Sequence, residues 1–561
     1  MTNLFPGLLP NLLLVAALII IAPVLPWKLP VVRALAAGLV LFFNAKYLIW
    51  RIGDTLPERG LTPAYIWAAV VLGAELLAVL QASFHALLFT RLSDRSGEAD
   101  DHEEALRERR SFPSVDIFIP TVNEGWSILE HSIKAAAAVD YPNYKIWVLD
   151  DGARDWLRQR CGELGVGYFR RPTRKGYKSG NINYAFARTR GDFILSIDAD
   201  FVAYPSILFR TLGFMSDPLI ALVQTPGNLT NPDPVQYNLL GELSWPEEQR
   251  VFTDIVQPAR DTWDNAFCYG GTFLVRRAAL QAIGGMPEDS ITEDLYSSYL
   301  LRAKGYTVRY LNETLSEGLA AESLAQFIKQ RCRWAIGTLQ CLYLPGGPLR
   351  ARGLSLLDRL FFLDPIFYYL SFFWPFLILI APCVFWWTGI APFNAEVGHL
   401  VTMLFPRMAV SMVVLYWLTN RRVVPIVSEL GRIVGIFYFV GAIMKGLLNP
   451  FGTGFEVTLK GEIRRRYVVQ WRILTGFVVL AAITVSGMAV NLSSHGLMQL
   501  LWDPNTSQVL AFSIFDFWLL FLASLTCIER PVFADIRSLR ATNSGTFLSS
   551  MGTLVKRILF T

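Results

Sequence analysis

Asp192-Phe-Ile-Leu-Ser-Ile-Asp-Ala-Asp200 reads as a short apolar strand that stops on two carboxylates. A continuous apolar run of this length suits a strand buried on both faces, as in parallel sheets covered by helices. The pattern recurs on either side. Val115–Pro120 runs into Thr121-Val-Asn-Glu124, and Lys145–Leu149 runs into Asp150-Asp151-Gly152. Val166–Phe169 and Ile220–Gln224 are further runs of the same kind, and helical patterns fill Trp156–Leu164, Ser179–Arg188, Pro205–Phe214 and Val235–Val251. Such alternation predicts a doubly wound α/β sheet with parallel strands. Ligands of these sheets bind beyond the carboxyl ends of the strands, so the polar residues there carry the chemistry.

Outward from this block the texture changes. Of 561 residues, 53% are apolar and only 17% charged, and the mean hydropathy is +0.37, which indicates a membrane protein. Six cysteines without regular spacing exclude a disulfide scaffold, and five scattered histidines without CxxC or HExxH exclude the usual zinc sites. A net charge of +5 gives no case for nucleic-acid binding. About 20 apolar residues span a bilayer as a helix. Seven spans are predicted at Leu8–Pro26, Val31–Trp50, Tyr65–Leu92, Phe361–Ile390, Leu400–Leu418, Val468–Val490 and Val509–Cys527. Val424–Leu448 holds Glu429, Arg432 and Lys445 and suits the membrane interface better than its interior. Residues 1–92 are thus three membrane helices and 93–352 a soluble domain that opens on the charge-dense Arg95–Arg110. Residues 353–530 are four more spans with the interfacial segment 424–448, and 531–561 a short cytosolic tail. Lys28 and Arg33 in the first loop and Arg464-Arg465-Arg466 in a later one put those loops and the soluble domain in the cytoplasm, with the N-terminus outside.

Three acidic clusters at one sheet edge would repel one another without a cation. Asp198 and Asp200 offer the hard oxygens that suit Mg²⁺ or Mn²⁺ shared with a diphosphate. No Walker A phosphate loop is present, which disfavours an ATP-driven transporter. Ser290-Ile-Thr-Glu-Asp294 opens an amphipathic helix and holds two acids where a single N-cap would need one. In Gln330-Arg-Cys-Arg-Trp334, Arg333 offers a planar fork for phosphate oxygens and Trp334 a flat face for a sugar ring. Trp374, Trp386, Trp387 and Trp417 in the later spans are candidates for lining a passage, or for belting the interface.

Asp150/Asp151, Asp198-Ala-Asp200, Thr292-Glu-Asp294 and Gln330-x-x-Arg-Trp334, in that order, resemble the D, DxD, TED and QxxRW set of processive family-2 glycosyltransferases, the cellulose, curdlan, chitin and hyaluronan synthases. Ala266-Phe-Cys-Tyr-Gly-Gly-Thr272 resembles their FFCGT segment with Tyr269 inserted. Phe455-Glu-Val-Thr-Leu-Lys-Gly461, within residues 451–463, resembles the FxVTxKG gating loop of the bacterial cellulose synthase catalytic subunit. The resemblance implies an α-helical membrane protein of about seven spans with a GT-A-like domain inserted between spans three and four. It implies that Thr121, Glu124, Asp150, Asp151, Lys178 and Arg333 bind a UDP-sugar. Asp198 and Asp200 would hold the metal, and Asp294 would be the general base. Cys268, Gly270, Glu293, Gln330 and Trp334 would face the acceptor, and Phe455, Val457, Thr458 and Lys460 would close over the nucleotide.

The implied activity is polymerisation of UDP-glucose into a β-glucan and its export across a bacterial inner membrane. The implied partners are the donor, the growing glucan, lipid and accessory export proteins. Motif identity favours cellulose, the β-1,4-glucan. Seven spans and a short tail without a cyclic-di-GMP-binding PilZ barrel favour curdlan, the β-1,3-glucan, and the architecture tips the expectation to curdlan. Mixed-linkage glucan, or a donor such as UDP-N-acetylglucosamine, stays open.

Overall fold

The computed structural model describes residues 4–395, 397–452, 464–495 and 504–532. Among these, six helices are long and apolar enough to cross a membrane: Pro30–Asp54, Pro63–Leu88, Leu356–Thr388, Gly398–Leu418, Trp471–Ser494 and Thr506–Thr526. The first expected span corresponds to the apolar helix Leu4–Ile21, packed against Val397–Leu418. Pro23 and Pro26 follow it closely and cannot continue its hydrogen-bond ladder. The interfacial segment forms Val427–Val434 and Ile436–Leu448, bent by 63°. Its second half lies along Leu324–Gln340, the helix that carries QxxRW. Arg33, expected as a loop charge, is buried and donates to the carbonyls of Phe89 (2.7 Å), Trp27 (2.9 Å) and Leu418 (2.9 Å). Arg95–Arg110 contains the helix Ser96–Arg107, which lies on the domain through buried Ala99 and Leu106.

Strands β1 (Val115–Thr121), β2 (Tyr144–Asp150), β3 (Gly167–Phe169) and β4 (Phe193–Ile197) match the expected runs. So does β6 (Ile220–Gln224), which follows the two-residue β5 (Val202–Ala203). The sheet is larger than expected. With β7 at Gly227–Leu229 and β10 at Ser316–Gly318 set aside in a small sheet with β5, the main order is β3-β2-β1-β4-β8-β6-β9, where β8 is Thr272–Arg276 and β9 Thr307–Tyr310. It is not wholly parallel: β8 runs antiparallel to both β4 and β6. That reversal brings the 266–271 segment, just before β8, to the carboxyl end of β4. Ile197 pairs with Thr272, and the Asp198 N–H donates to Gly271 O at 2.9 Å.

The single helix expected over Val235–Val251 is broken. Pro234–Asn238 ends in a turn where Leu240 takes φ +59° and Pro246 follows, and the helix restarts at Gln249. A left-handed leucine and a proline are each incompatible with a continuous helix.

Candidate active site

The β1 and β2 ends form one braced turn. Arg154 donates to Thr121 Oγ1 (2.7 Å), Glu124 O (2.6 Å) and Asp150 Oδ1 (2.9 Å). Asp150 also accepts from the Gly152 and Arg154 N–H groups (2.7 Å each) and the Tyr168 hydroxyl (2.9 Å). It is buried and its oxygens are saturated, so it organises the turn and lies off the cavity wall. Asp151, one residue on, is gripped by both arms of Arg171 (2.5 and 2.6 Å) and does line the cavity, with Thr121, Glu124 and Lys178.

At the end of β4, Asp198 pairs with the Lys178 ammonium, and Asp198 and Asp200 both line the cavity. Facing them is the start of the helix Glu293–Ala303. Its first residues are Glu293 and Asp294, whose charge the helix dipole favours. Burial pushes the Glu293 carboxyl up to about 7, with the neighbouring Asp294 charge adding to it. Burial also raises Asp294, against the opposing pull of Lys178. Burial lowers the Arg333 guanidinium while Glu293, Asp294 and Asp198 hold it up, and all four line the same cavity.

Two close approaches lock this arrangement. Gly270 has φ +86°, and a Cβ there would come within 2.9 Å of Asp294 Oδ2. Gly337 lets the QxxRW helix rest on Thr292: a Cβ would meet Thr292 Cγ2 at 2.6 Å. Gly270→Ala is therefore expected to strain the backbone by about 1–3 kcal/mol and displace Asp294. Denaturation should show the loss of stability, and turnover should fall by more than UDP affinity does.

Two side chains that shape the site, Gln224 and Arg331, were not singled out by sequence. Gln224 ends β6 and is fully buried. Its amide donates to Gly270 O (3.1 Å), Thr272 O (3.0 Å) and Thr225 O (3.0 Å) and accepts from Tyr269 N–H (3.2 Å), so it shapes the 266–272 segment. The strand-end rule that singled out the acids would have found it. Arg331 is the buried cation of the QxxRW helix: it pairs with Glu248 at 3.0 Å and stacks on Trp334 at 4.5 Å. Arg333 and Trp334 line the cavity as expected, as do Gln330, Glu293, Asp294 and Gly270. Cys268 does not; it is fully buried, and its N–H donates to Ser298 Oγ at 2.9 Å. Phe455, Val457, Thr458 and Lys460 lie outside the described residues.

The cavity has a volume of about 1120 Å³ and is continuous from Asp151 and Asp198, past Trp334, to Trp374 and Phe512 among the membrane helices. Of the four tryptophans considered for a passage, Trp374 alone lines it. Trp386 is buried and donates to Ser513 Oγ at 3.0 Å, Trp387 donates to Ile483 O at 2.9 Å, and Trp417 packs in the core.

Residues 116–284 match the model of glycosyl transferase family 2. Over 539 residues the chain is 31% identical to the UDP-forming cellulose synthase catalytic subunit of Pseudomonas fluorescens (strain SBW25), covering 94% of this chain and 70% of that one. It is 33% identical over 459 residues to cellulose synthase 1 of Komagataeibacter xylinus, covering 81% of this chain and 29% of the relative. The UDP-forming cellulose synthase catalytic subunit of Xanthomonas axonopodis pv. citri (strain 306) is 34% identical over 344 residues, 60% of this chain and 46% of that one.

Proposed function

The chain belongs to the processive family-2 glycosyltransferases of the bacterial cellulose synthase type, which makes it a β-glucan synthase, and from that premise we propose that it polymerises UDP-glucose into a β-1,4-glucan and passes the chain through its membrane helices. The expectation of curdlan rested on architecture, and the relatives compared above do not support it: all three are cellulose synthases. The observation that carries the reading is the single cavity joining the acidic strand ends to the membrane helices past Trp334. A single-transfer enzyme has no use for such a passage.

In this reading the uracil and ribose sit against Thr121, Glu124 and Asp151, with Asp150 holding that turn rather than touching the donor. Asp198 and Asp200 fit a hard divalent ion: both are carboxylates, both line the cavity, and both lie at a strand end. Mg²⁺ or Mn²⁺ bound there would supply charge neutralisation at the diphosphate. Lys178 and Arg333 bring the chain's own positive charge to the same place, so UDP departs from a preorganised cationic wall. The acceptor hydroxyl oxygen attacks the anomeric carbon and the bond to the diphosphate oxygen breaks, with inversion. Asp294 takes the hydroxyl proton, and Gly270, Glu293, Gln330 and Trp334 frame the acceptor sugar. Thr458 and Lys460 in the loop 451–463 would cover the phosphates. The donor is an intracellular nucleotide, so the domain faces the cytoplasm of a bacterial inner membrane, among lipid and accessory export proteins.

The test is direct. Purified protein in nanodiscs, given Mg²⁺ and labelled UDP-glucose, should yield a polymer digested by a β-1,4-glucanase and resistant to a β-1,3-glucanase. Digestion by the β-1,3 enzyme alone would restore the curdlan assignment. Turnover of UDP-N-acetylglucosamine in place of UDP-glucose would replace the donor.

A further inference from the structure

The last membrane helix among the described residues, Pro504–Thr526, contains one ionisable residue, Asp516, and nothing in the reaction above uses it. Its side chain is nearly inaccessible at 4% exposure, yet neither carboxyl oxygen has a hydrogen-bond partner among the described residues. An acid at membrane depth is costly and ordinarily paired, so an unpaired one marks a site whose partner arrives from elsewhere.

The direction from which the partner comes is on the wall of the cavity. Phe512, Asp516 and Leu519 recur at helical spacing, and all three, with Phe515, line the cavity. The next polar residue on the helix is committed elsewhere, since Ser513 Oγ takes the Trp386 indole N–H. Arg407, a cation of the same cavity lining, is engaged by Asn44 Oδ1 at 3.2 Å and lies over the Tyr47 ring. Asp516 is thus a lone acceptor set among aromatic and aliphatic side chains. Apolar faces with one or two convergent polar groups are how proteins hold a pyranose: the ring faces meet the apolar wall and a hydroxyl meets the acceptor.

We propose that Asp516 is a sugar-hydroxyl subsite of the passage, accepting hydrogen bonds from a β-linked glucan as it moves between the membrane helices. The inference rests on the polymerising and exporting function proposed above. Each sugar that reaches this depth supplies the donor the carboxyl lacks, and the site resists loss of the chain between additions. Asp516 is a positioning residue, since it sits on a membrane helix while the carboxylates that carry the transfer sit in the α/β domain.

The experiment compares Asp516→Leu and Asp516→Asn in the full chain in nanodiscs with Mg²⁺ and UDP-glucose. UDP affinity and initial UDP release are expected to stay within twofold of wild type in both. The Leu variant should lose at least tenfold in mean product length, whereas the Asn variant, which keeps an acceptor oxygen, should retain more than half. Product of normal length from the Leu variant overturns the proposal. Equal loss in both variants also overturns it, because a role for charge, such as holding a cation, would then replace hydrogen bonding. Should the Leu variant fail to fold, infrared difference spectra decide the matter. A carboxyl band present in wild type and missing in Asp516→Asn should shift when synthesis fills the passage, and an unmoved band refutes the subsite. A wild type that makes no polymer refutes the function instead, a different result from any of these.

Discussion

Asp294→Asn is expected to lower the rate of sugar transfer by about 10²–10⁴-fold, the range of a lost general base. The Asn side chain keeps the shape of the acid and can still accept the Leu295 N–H, which Asp294 Oδ1 takes at 2.8 Å. Fold and donor binding should therefore survive, and UDP should bind the variant within a few-fold of wild type. The pH profile sharpens the test. Burial raises Asp294 above the ordinary carboxylate range and holds Glu293 at about 7. A base must be unprotonated to act, so wild-type turnover should fall as pH drops through the upward-shifted Asp294 titration and level off above it. The residual activity of the Asn variant should lack the part of that acidic limb that belongs to Asp294. A variant that polymerises at a wild-type rate would remove Asp294 from the base role and leave the site without an assigned proton acceptor.

Arg260→Met is expected to cost about 3–5 kcal/mol of stability, the usual consequence of leaving half of a buried ion pair behind. Arg260 is fully buried and joins the two parts of the molecule. It donates to Asp364 Oδ2 at 3.0 Å and Phe361 O at 2.8 Å on the membrane helix Leu356–Leu370, and to Asn265 O at 3.0 Å in its own domain. The other oxygen of Asp364 meets His85 Nε2 at 3.0 Å on the helix Pro63–Leu88. Removing the guanidinium leaves Asp364 with His85 alone and takes a donor from the carbonyls of both Phe361 and Asn265. Replacing both partners, as Arg260→Met with Asp364→Leu, should recover more than half of the loss, because an apolar pair no longer leaves a charge uncompensated. Chemical denaturation of the detergent-held protein measures both; a single variant within about 1 kcal/mol of wild type would show that the domain is seated without this contact.

The two outcomes separate chemistry from architecture, and a similar division runs through what could be read before folding. Strands β1, β2, β3, β4 and β6 were legible because each is a continuous apolar run with a polar stop, and those stops placed Asp151, Asp198 and Asp200 at one edge. β8 and β9 were missed. Thr272–Arg276 is as long as β4 and β6, and what makes it and Thr307–Tyr310 strands is their pairing with strands far along the chain. The helix expected through Leu240 failed because local periodicity does not reveal a residue forced to positive φ.

Membrane residence, an α/β domain of the family-2 type and the acids at its strand ends are all legible along the chain before it folds. Those are properties of composition, period and order along the chain. Which polar groups are already spoken for emerges only on folding. Asp150 and Asp151 are neighbours with the same chemistry, yet Asp150 is consumed by Gly152, Arg154 and Tyr168 while Asp151 reaches the cavity. Trp374 lines the passage and Trp386 does not; Asp516 belongs to its lining with a buried, unpaired carboxyl, and Arg407 is held by Asn44. Hydrogen-bond saturation and access to a cavity depend on groups tens or hundreds of residues apart, and the chain order carries no record of them until packing brings them within 3 Å or so.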